Sequence, residues 1–332
     1  MSVHTTSPQR RSALVLLPLL VAPLLCSAAP PTLGPWPTAE KSYKAPALDA
    51  SDPSVWLHYP VCNVSDCPKF PLITYAHGFA GGDIDLVGYW AHFQQISSYG
   101  FVVAAPDSCD VGCTNADKGA PYTDCAGLPP LPLPLYHAWY GEQLKIIEWA
   151  RNMSAGGSAD PVFQTIDWSA GVGAAGHSMG GQATTLSSSS SCAKKWDIRA
   201  AALIHPEIGD LPWGNTGANI STPVMTFSSS GDKLCPPSTA AATMRAFNAS
   251  AQGATLPSGY RNVVGWSHLE PVLGQVFENP LLATYTAAWF KIHLNNDRGA
   301  YYNLIFDASS PDSVCNSQQM VDCYAANPPA NV

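Results

Sequence analysis

The chain has 332 residues, of which 46% are hydrophobic and 12% charged. That is long and apolar enough to bury one large core, and too poor in charge for an unfolded polyelectrolyte. A net charge of −8 with no basic patch excludes nucleic acid and anionic membrane surfaces from the expected partners.

In chain order, residues 1–28 read as a secretory signal. Arg10 and Arg11 precede an apolar run over residues 13–25, and Cys26, Ser27 and Ala28 offer small residues for cleavage. The run is short and interrupted by Pro18 and Pro23, which disfavours a membrane anchor, so no stable membrane insertion is expected. The signal directs the chain outside the cell, to an endomembrane lumen, or onward to a complex plastid. Its removal with Arg10 and Arg11 takes the net charge from −8 to −10. Nine cysteines remain, and in an oxidising compartment disulfides are expected of them. Cys62 with Cys67 and Cys315 with Cys323 form the short loops expected to close. Cys109, Cys113, Cys125, Cys192 and Cys235 have no assignable partner, and the odd count leaves one thiol over. Sequons at Asn63, Asn152, Asn219 and Asn248 fit the same compartment.

Residues 29–69 form a Pro-rich N-terminal segment and the first strands, with residues 30–37 extended along the surface. Residues 70–325 form the main domain and 326–332 a tail. Apolar runs at 70–76, 101–105, 173–176, 200–204, 223–228 and 261–265 predict strands. Between and after them, helices are predicted at 86–99, 137–153, 180–189, 239–248 and 281–294. Strand and helix in alternation predict an α/β fold with a mostly parallel central sheet and helices on both faces. About eighteen residues separate the strands at 200–204 and 223–228, too few for a large lid domain, so the cleft is expected to be open. Residues 107–136 form a Cys- and Pro-rich loop that either walls the pocket or lies on the surface away from substrate.

The segment Gly176-His177-Ser178-Met179-Gly180-Gly181 follows directly on an apolar strand. A bare G-x-S-x-G arises by chance roughly 0.2 times in such a chain, so its context decides the reading. A strand entering a helix through a tight turn lifts Ser178 clear of the backbone, as in a nucleophile elbow. An alcohol needs a base within reach and an acid to orient that base. In the order Ser, Asp, His, the expected acid is Asp232, just past the strand at 223–228, with Asp210 as the alternative. The expected base is His268, just past the final parallel strand. His205 follows another strand, His293 lies inside a helix, and His177 is directed away from the serine hydroxyl. The oxyanion is expected at the backbone N–H groups of Met179 and of Phe79, in the loop His77-Gly78-Phe79-Ala80-Gly81-Gly82.

With His77-Gly78-Phe79, the segment 176–181, Gly231-Asp232 and Ser267-His268 in this order, the chain resembles the α/β-hydrolase superfamily. More narrowly it resembles the group that joins chlorophyllases to bacterial cutinases and polyester (PET) hydrolases. The similarity runs from residue 70 to 323 and includes Tyr99-Gly100-Phe101-Val102-Val103, Ala288-Trp289-Phe290-Lys291 and a late cysteine pair. It implies an α/β-hydrolase fold and places Phe79 and Met179 on either side of a scissile ester. Plant chlorophyllases typically carry arginine in place of Met179.

The expected function is a secreted serine carboxylic-ester hydrolase working through an acyl-enzyme, active as a monomer without cofactor or metal. Phe79, Met179, Trp266 and Trp213 are the expected substrate-binding residues, and they favour a bulky hydrophobic ester such as a phytyl ester, an acylglycerol or a polyester. A serine peptidase on the same fold and a non-catalytic hydrolase-like binding protein are the alternatives.

Overall fold

The computed structural model describes residues 33–45, 54–62, 67–80, 87–108, 125, 135–207, 216–272 and 280–329. The signal segment, most of the loop at 107–136, and Asn63, Asp210 and Trp213 lie outside the described residues.

The central strands are buried along their whole length because both their faces are covered. In β3 (Leu72–Ala76) every residue is buried, and the same holds for β4 (Val102–Pro106), β5 (Val172–His177), β7 (Val224–Ser229) and β8 (Ser258–Val263). The two-residue period of a strand divides them between two layers. Leu72, Val102, Ala104, Val172 and Ala174 pack with Leu144 and Ile147 of α2 (Leu135–Asn152) and with Ala183 and Leu186 of α3 (Met179–Ser187). Ile73, Tyr75, Val103, Ala105 and Ala175 pack on the opposite face with Phe93 and Ile96 of α1 (Trp90–Ser98) and with Trp289 and Phe290 of α6 (Leu281–Leu294). Ala201 and Leu203 of β6 (Ile198–Ile204) meet Ala240, Met244 and Phe247 of α5 (Pro237–Ala249).

Among the described residues, nine strands form one sheet in the order β1-β2-β4-β3-β5-β6-β7-β8-β9. Strands β3 to β8 run parallel. β2 (Ser54–Pro60) is antiparallel to both β1 (Thr38–Lys44) and β4, and β9 (Met320–Ala326) is antiparallel to β8. The fold is therefore α/β with a mostly parallel sheet between helices. Residues 38–44 and 54–60 contribute two strands to this same sheet, and β9 runs one residue past the boundary drawn at residue 325. Sequence patterning did not indicate β9, α4 (Ser190–Trp196) or α7 (Ala300–Phe306). Of the stretch joining β6 to β7, residues 216–219 form a single helical turn and 208–215 lie outside the described residues.

The cysteines correct one expectation. Cys315 is bonded to Cys323 as the short spacing suggests, but Cys62 and Cys67 are free thiols. Cys125, from the Cys-rich loop, is joined across 67 positions to Cys192 of α4. Cys235 is free and buried. Among the described residues, no helix is long and apolar enough to cross a membrane. Asn152, Asn219 and Asn248 are exposed.

Candidate active site

Parallel strands gather their carboxyl ends at one edge of the sheet, where α/β proteins place their ligands. Five of these ends lead to polar residues: β3 to His77, β5 to Ser178, β6 to His205, β7 to Asp232 and β8 to His268.

Ser178 sits between β5 and α3 with φ 57° and ψ −122°, a left-handed backbone that a side-chain-bearing residue holds only under constraint. The constraint is visible. Its N–H donates to the Ile204 carbonyl at 3.0 Å, and its own carbonyl accepts from the N–H groups of Gln182 and Glu207 at 3.2 and 2.9 Å. Gly180 seats the helix: a Cβ there would lie 2.0 Å from the Ala76 carbonyl oxygen. Only glycine lets α3 press against the end of β3. That close approach brings the loop with Phe79 alongside the turn with Ser178 and Met179.

His268 spans the other two groups. Its Nε2 lies 3.0 Å from Ser178 Oγ, and its Nδ1 lies 2.8 Å from Asp232 Oδ2. The remaining carboxylate oxygen, Oδ1, accepts the N–H groups of Leu234 and Cys235 at 2.9 and 2.8 Å. The loops that carry Asp232 and His268 are tied to each other as well. Ser229 Oγ lies 2.7 Å from the Trp266 carbonyl and accepts the Gly231 N–H at 3.1 Å. Position 231 tolerates nothing larger than glycine, since a Cβ would meet the Trp266 carbonyl oxygen at 2.3 Å.

A third imidazole completes the carboxylate's surroundings. His205, fully buried, places Nδ1 3.1 Å from the same Asp232 Oδ2. Burial by itself would push the Asp232 carboxyl up, but the hydrogen bonds from His205, His268 and the Cys235 amide outweigh it and hold the group well below the usual carboxylate range. Asp232 is thus an anion at neutral pH. His205 and His177 are both pushed down from the ordinary histidine value, chiefly by burial, and stand neutral.

His177 points away from the Ser178 hydroxyl, as its backbone position suggests. It accepts from Tyr89 Oη at Nδ1 (2.5 Å) and donates from Nε2 to the His268 carbonyl (2.8 Å). Tyr89 Oη in turn accepts the Gly78 N–H at 3.2 Å. His77 binds the same loop: its Nε2 accepts the Ser108 N–H at 3.0 Å and its Nδ1 lies 2.7 Å from the Gly78 carbonyl.

Phe79 is 52% exposed, whereas Met179 is buried within the core. Trp266 is also buried, with its ring 4.9 Å from the Arg261 guanidinium, so the structure gives it a packing role in place of an exposed wall. His293 is half-buried on α6 with its ring against Trp289, and Trp213 and Asp210 fall outside the described residues. Two neighbours escaped the sequence reading. Cys235 brings its sulfur 3.9 Å from Ser178 Oγ, and Leu234 beside it is strongly exposed. The only signal for them was their place directly after Asp232.

His205, Asp232 and His268 bring three donor atoms within 4.8 Å of one another. In this arrangement both imidazoles direct protons at the carboxylate, so the set is engaged in hydrogen bonds and is not a preformed cation site. No family model and no curated protein matches the chain.

Proposed function

We propose that this chain is a secreted serine carboxylic-ester hydrolase with an α/β-hydrolase fold. The observation that carries the reading is the unbroken line from Ser178 Oγ through His268 to Asp232, with contacts of 3.0 and 2.8 Å on the two sides of one imidazole. The strained backbone of Ser178 and the sheet order, with its antiparallel β2, support it further.

In the proposed reaction, Ser178 Oγ attacks the ester carbonyl carbon while His268 Nε2 takes the hydroxyl proton. Asp232 stabilises the resulting imidazolium and fixes its tautomer. The oxyanion is met by the N–H groups of Phe79 and Met179. Collapse breaks the bond to the alkoxy oxygen, which leaves as the alcohol with the proton from His268. Water, giving a proton to His268, then attacks the acyl-Ser178, and the acid departs as Ser178 regains its proton.

Three of the chain's exposed large apolar side chains belong to the loops that carry this chemistry. Phe79, Leu234 and Leu269 are 52%, 71% and 40% exposed. An apolar rim around a buried serine favours a bulky hydrophobic ester such as a phytyl ester, an acylglycerol or a polyester. The disulfides Cys125–Cys192 and Cys315–Cys323 support an oxidising compartment.

A panel of esters of rising acyl and alkyl length, chlorophyll included, tests the reading on wild type and Ser178→Ala, with peptide substrates alongside. Turnover should rise with apolar length, exceed that on peptides, and fall on the order of 10³-fold or more in Ser178→Ala. Wild-type turnover in the alanine variant would overturn it.

A further inference from the structure

Asp232 Oδ2 receives two imidazoles, not one: His268 Nδ1 at 2.8 Å and His205 Nδ1 at 3.1 Å. A carboxylate offers only lone pairs, so each ring must present Nδ1–H. That proton leaves His205 Nε2 as an acceptor, and it has no partner among the described residues. Its bond to Asp232 is therefore the one polar contact that this fully buried side chain makes there.

The backbone is arranged to deliver it. His205 follows β6 with φ 43°, a left-handed conformation costly for a residue with a side chain. Its N–H is anchored on the Phe227 carbonyl of β7 at 2.8 Å. The ring stands edge-on to His177 and His268, with centroids 6.1 and 5.9 Å away. With Leu234 and Cys235 amides on Oδ1, four donors surround the carboxylate, and turning it toward any other orientation breaks several of them.

We propose that His205 is a positioning residue that holds the Asp232 carboxylate in the orientation His268 uses. The inference rests on the esterase reading only where activity is the measure. The ionisable groups around His205 are Asp232 and Cys235 from the loop after β7, His268 from the loop after β8, His177 from β5, and Glu207 two residues along its own chain. Burial keeps His205 and His177 neutral and the Cys235 thiol protonated, so His205 supplies a donor without a charge. Sharing Oδ2 makes the carboxylate a weaker acceptor toward His268. Removing His205 then has two consequences. The His268 imidazolium gains a stronger partner, so its titration midpoint moves up, and the loosened carboxylate costs turnover.

The test follows the His268 imidazole by NMR across pH in wild type, His205→Ala and His205→Asn, with steady-state kinetics on a short nitrophenyl ester in parallel. His205→Ala should raise the His268 midpoint by about half a pH unit and lower kcat ~10-fold, with KM changed by less than about twofold. His205→Asn, whose side-chain amide donates from the same position, should restore the midpoint and most of kcat. An unchanged midpoint in folded His205→Ala, or no rescue by His205→Asn, overturns the proposal. If the alanine variant does not fold, the wild type decides: it should show low-field Nδ1 protons from both His205 and His268, and absence of the His205 signal overturns it. A shifted midpoint without any Ser178-dependent hydrolysis sinks the esterase reading and leaves the positioning role standing. Ser178-dependent hydrolysis with no shift does the reverse.

Discussion

Tyr89 Oη lies 2.5 Å from His177 Nδ1, and through this contact the residue before the serine joins the two loops on either side of it. Gly78 N–H donates to Tyr89 on one side, and His177 donates to the His268 carbonyl on the other. Replacing Tyr89 by Phe keeps the packing against Tyr75 and Phe93 but leaves a buried amide and a ring nitrogen unpaired. Tyr89→Phe should lower kcat ~10-fold on the best ester with little change in KM. Unchanged kcat would show that the contact does not order the site.

Asp232 and Asp210 can be separated directly. Asp232→Asn offers an amide where two imidazole N–H groups need an acceptor, and kcat should drop on the order of 10³-fold or more. Asp210→Asn should leave kcat within about threefold. The reverse pattern in initial-rate measurements would reassign the acid.

Cys235 stands beside Ser178 but is not expected to act as a nucleophile. Burial, helped by the Asp232 charge, pushes its thiol up to about 12, so almost no thiolate exists at neutral pH. Alkylation by iodoacetamide at pH 8 should be at least ~10-fold slower in the native protein than after denaturation, and Cys235→Ala should keep kcat within about threefold. Rapid native labelling followed by mass spectrometry at Cys235 would contradict this.

Buried neutral histidines should make the fold acid-sensitive. His58 is lowered to about 4, and His92 and His293 to about 3, by burial above all. Since the unfolded chain protonates near 6.5, it binds more protons than the native state between that value and the folded one. Stability is thus fully present above pH 6.5 and is lost as pH falls toward 4 and 3, by up to roughly 1.4 kcal/mol per pH unit for each histidine. Melts from pH 7.5 to 4.5 should show this slope, and His92→Gln should flatten it. A Tm independent of pH over that range would refute the prediction.

Arg261 is fully buried, with its guanidinium between the rings of Trp266 and Tyr285 at 4.9 and 4.7 Å. Arg261→Ala loses both the stem packing and the ring contacts and should cost about 3 kcal/mol in urea unfolding. Arg261→Met fills the same channel without a charge to desolvate and should stay within about 1 kcal/mol of wild type. Equal losses in the two variants would show that the charge itself is required.

Local pattern carried a great deal of this molecule. The helix at 281–294 was legible to the residue because apolar side chains surround it almost completely. The strand ahead of Ser178 and the glycines after it were legible because an elbow needs small residues wherever backbone meets backbone. β9 was not, since its edge position leaves most of its residues half-exposed and gives them no apolar alternation. Cys62 and Cys67 misled, because short spacing measures opportunity and not bonding.

By itself, the sequence determined most of the central strands and helices and the order of Ser178, Asp232 and His268, because propensity, burial pattern and turn chemistry act over a few residues. Only the tertiary structure decided which strand ends are neighbours. Placing β6, β7 and β8 side by side sets His205 and His268 on one oxygen of Asp232, although they are 63 positions apart in the chain. The same packing joined Cys125 to Cys192 and laid Cys235 against Ser178. Strand order arises from contacts between distant segments, and no local stretch of sequence encodes it.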